Sequence, residues 1–311
     1  MVLARHWGAL LLPWWLGVAG LEDSPSAAAE ANAGAPAESP AYRLSWSDEF
    51  DVDGPPLPEN WRFERGFVRN QELQWYQLEN ASCRDGLLEI EGRRQRVENP
   101  RYDPQSDSWQ RNREVAEYTS ACLHTRGLHD WLYGRVIIAA WIDAQDGLWP
   151  AVWTLGSARG WPGCGEVDIM EYYRGDLLAN AAWSGGRRQP PRWDTFKRPV
   201  AEFDDPNWAS KFHVWRMDWD HDFIKLYVDD ELLNSVDLAT TFNGGRRRDN
   251  PLREPHYILL NLAIGGTQGG DPAKTNFPTK FEIDYVRVYQ LDDPTARRSN
   301  QRQAAAVTAA N

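Results

Sequence analysis

Apolar and polar positions change places at short range along most of this chain. Leu87-Leu-Glu-Ile-Glu91 follows the turn signal Arg84-Asp85-Gly86, and Tyr133 to Asp143 runs apolar up to the next signal at Asp146-Gly147. Phe212 to Trp219 alternates strictly, Ile224 to Val228 enters a hairpin turn at Asp229-Asp230, and Tyr257 to Ile264 and Phe281 to Tyr289 close the pattern. Period-two stretches bounded by Gly, Pro, Asn and Asp predict strands, and no long stretch carries the period of an amphipathic helix. Many short strands joined by turn residues predict an all-β, antiparallel sandwich.

The two ends read differently. Arg5 and His6 precede an apolar run from Trp7 to Gly20 that is interrupted by Pro13, too short for a membrane span and suited to a secretory signal over 1–21. Residues 22–41 are rich in Ala, Pro, Ser and Glu and read as a linker, and 292–311 as a polar, Ala-rich tail. One folded domain over 42–291 is expected, in a secreted or periplasmic protein that leaves the membrane once the signal is removed.

Within this pattern one stretch breaks the rule that strands hide apolar residues and spare charges. Trp161-Pro-Gly-Cys-Gly-Glu-Val-Asp-Ile-Met-Glu-Tyr-Tyr173 places Glu166, Asp168 and Glu171 within about one strand length. Side chains alternate in a strand, so Glu166 and Asp168 share a face while Val167 and Ile169 point to the other. Glu171 has the wrong parity unless a bulge at Met170 returns it to the face of the first two acids. Carboxyls so close raise the pKa of at least one member, leaving an acid beside a carboxylate. That pair is the equipment of a retaining glycosidase, whose two groups stand about 5–5.5 Å apart. A solvated acidic strand or a calcium site is the plainer reading of the same residues.

Composition narrows the partner. The net charge of -11 argues against nucleic acid or an anionic membrane, both of which need a positive field. A neutral polysaccharide is the expected partner, bound by a monomer. There are 17 Trp, and large flat side chains serve both sugar stacking and core packing. Trp149 and Trp153 share parity, Trp161 lies five residues before Glu166, and Ala179, Ala181 and Trp183 fall on one side of the next strand; these four Trp are the candidate platforms. Asn70 is either a donor to sugar hydroxyls or a turn residue, and Asn261 either lines a cleft or is hydrogen-bonded within its sheet. The three cysteines, Cys83, Cys122 and Cys164, lack metal-ligand spacing and allow at most one disulfide, with Cys83 and Cys122 as the candidate pair.

Taken together, Trp46-Ser-Asp-Glu-Phe50, Asn70-Gln-Glu-Leu-Gln-Trp-Tyr76, Asp85-Gly-Leu-Leu-Glu-Ile90, Tyr118-Thr-Ser-Ala121, Tyr133-Gly-Arg135, Gly147-Leu-Trp-Pro-Ala-Val-Trp153, Gly165-Glu-Val-Asp-Ile-Met-Glu171, Asn261-Leu-Ala-Ile-Gly-Gly266 and Asp284-Tyr-Val-Arg-Val-Tyr289 resemble glycoside hydrolase family 16. That family contains laminarinases, lichenases, agarases and carrageenases, and the resemblance runs from Trp46 to Gln290. It implies a β-jelly-roll sandwich of concanavalin A type with the acids on a concave face. By the same resemblance 42–291 is an endo-acting, retaining catalytic domain with Glu166 as nucleophile, Glu171 as acid/base and Asp168 as helper. No cofactor is then required for catalysis, and Asp284 with the backbone of Gly86 matches the position of a structural calcium in some members.

The acid motif with Met170 resembles the laminarinase, agarase and carrageenase branch more than the lichenases. Laminarinases often carry His-Trp in the strand after the acid/base, where this chain has Ala182-Trp183. A β-1,3- or mixed β-1,3/1,4-glucan is the expected substrate. A galactan, clamped through Gly186-Arg-Arg-Gln-Pro-Pro-Arg192 and Arg246-Arg-Arg248, is the alternative enzyme reading, and a non-catalytic carbohydrate-binding sandwich the alternative to an enzyme.

Overall fold

The computed structural model describes residues 42–245 and 249–291. The expected signal, linker and tail, and the Arg246 to Arg248 triplet, lie outside the described residues. Two antiparallel sheets face one another. The first consists of β1 (Arg62–Phe63), β2 (Cys122–His124), β3 (Leu148–Gly156), β4 (Glu166–Tyr173), β5 (Asp176–Trp183), β6 (Arg192–Pro199) and β7 (His256–Ile264). Their order across the sheet is β6-β5-β4-β3-β7-β2-β1, so β7 is inserted between strands that precede it by more than a hundred residues. The second sheet runs Glu231–Asp237, Phe223–Val228, His213–Trp219, Gly134–Ile142, Thr279–Leu291, Leu87–Gly92 and Ala81–Arg84, with Tyr42–Asp48 also paired to Thr279–Leu291. Such long crossovers between two stacked antiparallel sheets make the expected jelly-roll sandwich.

The alternation read from the sequence becomes the packing of the second sheet. Every second residue of Leu87–Gly92 is buried, and His213, Trp215, Met217 and Trp219 turn inward while Val214 stays exposed. Val152, Val167, Ile169, Ile258, Leu260 and Leu262 of the first sheet meet Ile138, Trp215, Met217, Leu226, Phe281, Ile283 and Val286 of the second in one core. Each such side chain contributes about 1.5–3 kcal/mol through loss of apolar surface to water. The hairpin at Asp229-Asp230 has φ of 46° and 67° at its two corners, the left-handed conformation that matches strand twist in a two-residue turn.

The first sheet departs from simple alternation at its centre. β7 is buried at every position, and β3 at every position except the half-buried Leu155. One face of these strands lies on the core, and the other is covered by Trp149, Trp153 and the loops that wall a cavity. Pro150 does not interrupt β3, where it sits opposite Leu262. Cys83 belongs to the second sheet and Cys122 to the first; both are buried free thiols, as is Cys164, so the candidate disulfide is not formed.

Candidate active site

The acids sit on β4, and the turn before it fixes where the strand begins. Gly165 has φ of 78°, and a Cβ there would lie 2.9 Å from Leu252 Cδ2, so a side chain would displace the first carboxyl of the strand. Farther along, Asp168 faces Trp153 and Met170 faces Val152 on β3, while Asn180 and Leu178 of β5 oppose Asp168 and Glu171. Ile169 and Met170 together oppose the single residue Ala179 between those pairs, which is the bulge expected at Met170. Both enter the core. The consequence is that Glu171 returns to the side of Glu166, and both line one cavity with Asp168 buried between them at 1% exposure.

Hydrogen bonds give the three carboxyls different environments. Trp149 Nε1 donates to Glu171 Oε1 at 2.8 Å, and Asn180 Nδ2 lies 3.2 Å from Glu171 Oε2 and 3.3 Å from Asp168 Oδ2. Trp161 Nε1 donates to Glu166 Oε2. Burial pushes Glu171 up to about 7, the nearby Glu166 charge adding to it and the Trp149 and Asn180 donors opposing it. Burial also drives Asp168 well above the usual carboxylate range, reinforced by the charges of Glu171 and Glu166, so Asp168 keeps its proton. Glu166 is raised by burial too, but a hydrogen bond from Asp168, the Trp161 donor and the Arg69 charge all favour its anion. One strand thus presents a carboxyl biased to the acid beside one whose partners favour the carboxylate.

This arrangement costs stability in a definite pH window. A carboxyl raised from 4.5 to about 7 on folding binds its proton more tightly in the native state. Its contribution is fully present below about pH 4.5 and is lost as pH rises through about 7. Glu171→Gln is therefore expected to raise Tm on the order of 5 °C at pH 8 and to leave it unchanged at pH 4. Thermal melts at the two pH values check this; equal shifts at both would contradict the assignment.

The cavity around the acids has a volume of about 640 Å³ and crosses the sheet. On the β7 side its wall is polar: Arg69, Asn70, Glu72, Asn261, Thr267 and Gln268 line it. Arg69 pairs with Glu64 and lies 5.0 Å from the centre of the Trp153 ring. Trp153 Nε1 donates to Asn261 Oδ1 at 2.7 Å, and Asn261 Nδ2 to the Tyr76 hydroxyl at 3.2 Å, so Asn261 both lines the cavity and ties the sheet together. Asn70 is a turn residue with φ of 53°, and it also lines the cavity. Gly266 keeps that turn close, since a Cβ on it would lie 2.8 Å from the Asn70 carbonyl oxygen. On the β5 and β6 side the wall is Leu178, Asn180, Trp193 and Thr195.

Known proteins resemble this chain in sequence and in fold. Residues 94–287 match the model of Glycosyl hydrolases family 16. A β-glucanase from Rhodothermus marinus is 35% identical over 81% of this chain and 87% of its own length. The chain belongs to glycoside hydrolase family 16. Among solved structures, the catalytic domain of an endo-1,3-β-glucanase (laminarinase) from Thermotoga petrophila matches with a TM-score of 0.67 and 32% identity, over 82% of this chain and all of that one. A structure from work on endo-acting O-glycanases of the human gut microbiota that initiate mucin breakdown matches with a TM-score of 0.74 and 32% identity, over 81% of this chain and 91% of that one. The family acts with retention of configuration, and this chain is a retaining glycoside hydrolase.

Of the residues picked from the sequence, Glu166, Glu171, Asn70, Trp149, Trp153 and Trp161 meet around the cavity of this family 16 domain. Trp183 does not. It shares parity with Ala179 and Ala181, which pack in the core, while Leu178 and Asn180 of the same strand line the cavity. Period two gave the right grouping of β5 residues but not which group faces the cleft. Trp193, Tyr173, Glu72 and Arg69 are cavity residues that sequence reasoning passed over. Tyr173 was within reach of it, since it follows Glu171 by two positions on the same strand.

Asp284 is exposed, one residue past Ile283, which pairs with Leu88 and so lies beside the turn holding Gly86. Calcium takes about six to eight oxygen ligands. Among the described residues no three His, Cys, Asp or Glu side chains are placed to hold a metal ion, so a calcium at Asp284 would draw most of its oxygens from backbone carbonyls such as that of Gly86. The Arg187 and Arg188 side chains are exposed and outside the acid-lined cavity, and Arg192 lines a separate hollow with Thr240, Asn243 and Gly244.

Proposed function

We propose that this protein is an endo-acting β-glucanase that cleaves internal β-1,3 or mixed β-1,3/1,4 bonds, with Glu166 as nucleophile, Glu171 as acid/base and Asp168 as the group that positions and tunes Glu166. The observation that carries the reading is the bulge at Ile169-Met170, which sets Glu166 and Glu171 on one cavity wall, Glu171 pushed up to about 7 and Glu166 raised by burial but beside donors that favour its anion. In the first step the Glu166 carboxylate bonds to the anomeric carbon as the bond from that carbon to the glycosidic oxygen breaks. Glu171 gives its proton to the departing oxygen, leaving a glycosyl ester on Glu166. In the second step Glu171, now a carboxylate, takes a proton from water; the water oxygen bonds to the anomeric carbon and Glu166 leaves as a carboxylate. Asp168, holding its proton, donates to Glu166 and favours that anion as it forms and as it departs.

Charge on the cavity wall supports a neutral glycan. Among the described residues Arg69 is the one arginine on that wall and is paired with Glu64, whereas Glu72, Glu166 and Glu171 line the same space. Among the described residues of this wall a sulfated chain would meet carboxyls without free cationic partners. A second reading, an O-glycan substrate, is favoured by the TM-score of 0.74 to the O-glycanase structure and by Ala182 where laminarinases often carry His. The proposal includes export, since a polysaccharide is met outside the cell and the run from Trp7 to Gly20 suits a signal, and action as a monomer.

Release of reducing ends from laminarin, barley β-glucan, agarose, porphyran, carrageenan and mucin O-glycans in parallel tests the substrate. Cleavage of laminarin or barley β-glucan into a ladder of oligosaccharides is expected. Action on the mucin glycans alone would establish the second reading, and action on a sulfated galactan alone would overturn both.

A further inference from the structure

The first sheet sets its cavity residues in rows that cross the strands. In one row Leu155 of β3 pairs with Glu166 of β4, Glu166 with Ala182 of β5, and Ala182 with Trp193 of the edge strand β6. Directly paired residues of antiparallel strands point to the same face, so Trp193 stands on the face of Glu166, two strands away. Strands lie about 4.8 Å apart, which puts the Trp193 backbone on the order of 10 Å from that of Glu166, a distance of roughly one to two sugar rings. Between them Ala182 contributes only a methyl group.

Trp193 is also unlike the other tryptophans of the site. Trp149, Trp153 and Trp161 spend their indole N–H groups on Glu171, Asn261 and Glu166. Trp149 and Trp153 are nearly buried, at 8% and 7% exposure, whereas Trp193 is 46% exposed, as open as Trp161 at 51%, whose indole is tied to Glu166. Its strand neighbour Phe196, of opposite parity, packs against the core, so the fold does not need Trp193 for burial on that side. A large aromatic left open on a cavity wall is free to take a ligand's apolar surface, and an indole beside a polar neighbour such as Thr195 suits the apolar face and rim hydroxyls of a pyranose.

We infer that Trp193 is the sugar platform at the β6 end of the cleft, a subsite that takes a pyranose ring beyond those held at the acids, and that it does the work the sequence suggested for Trp183. The polysaccharide then crosses the strands, held by hydrogen bonds at the Arg69, Asn70 and Glu72 end and by stacking at the Trp193 end. This inference rests on the reading of the cavity as a glycan cleft.

Its test is the dependence of kcat/KM on chain length. Laminari-oligosaccharides of three to seven units, or the equivalent series from whichever glycan the enzyme cleaves, are compared for the wild type, Trp193→Ala and Trp193→Phe, with circular dichroism and Tm confirming the fold. The gain in kcat/KM from the shortest to the longest substrate is expected to fall about tenfold in Trp193→Ala and to be largely kept in Trp193→Phe. An unchanged gain, or an equal loss at every length, would overturn the subsite. A wild-type enzyme that cleaves no member of any series would instead overturn the glycan reading, and this inference with it.

Discussion

Glu166→Gln is expected to lower kcat on the polysaccharide on the order of 10⁴- to 10⁶-fold, since the variant keeps the shape of the site but has no carboxylate to form the glycosyl ester. Substrate binding should change little, because the amide fills the same volume and can still meet Trp161. Added azide provides a second readout. In Glu166→Ala a small anion entering the space of the missing carboxylate attacks the anomeric carbon from the nucleophile's side, and the glycosyl azide formed has inverted configuration. Turnover of Glu166→Gln within tenfold of wild type would remove Glu166 from the chemistry.

Glu171→Gln should cost about 10²- to 10⁴-fold on the polysaccharide, the usual worth of a positioned acid/base. The loss should shrink on an aryl glycoside whose leaving group departs without a proton. Glycosylation then runs ahead of hydrolysis, and in Glu171→Ala, where the space of the carboxylate is open, azide should restore turnover with retained configuration. The pH profile distinguishes this variant from a merely damaged site. In the wild type the acid must be protonated, so activity falls as pH rises past about 7, the value to which burial pushes Glu171. Glu171→Gln should lack that alkaline limb while keeping the acid limb set by ionisation of the Glu166 and Asp168 set. An alkaline limb that survives the substitution would show that another group carries the proton.

What the sequence by itself determined about this protein was whatever depends on local period and on unusual local composition. Alternation over Phe212 to Trp219 and Phe281 to Tyr289 specifies strands because a strand buries every second side chain, and these segments appear as His213–Trp219 and Thr279–Leu291. The acids were legible because three carboxyls amid apolar residues are costly unless they do chemistry, and setting all three on one face required a bulge that the register shows at Ile169-Met170. Tertiary structure decided which face of each strand meets the cleft. Parity groups Ala179, Ala181 and Trp183 together in any strand, but only the stacking of the second sheet on that side sends Ala179 and Ala181 to the core, buries Trp183 away from the cavity and leaves Leu178 and Asn180 to it. The edge strand Arg192–Pro199 was hidden for a related reason: its Arg, Asp and Lys residues read as loop, and it is held as strand by pairing along β5 from Asp176 to Trp183. Trp193 enters the site through that pairing, a contact that no window of sequence around it contains.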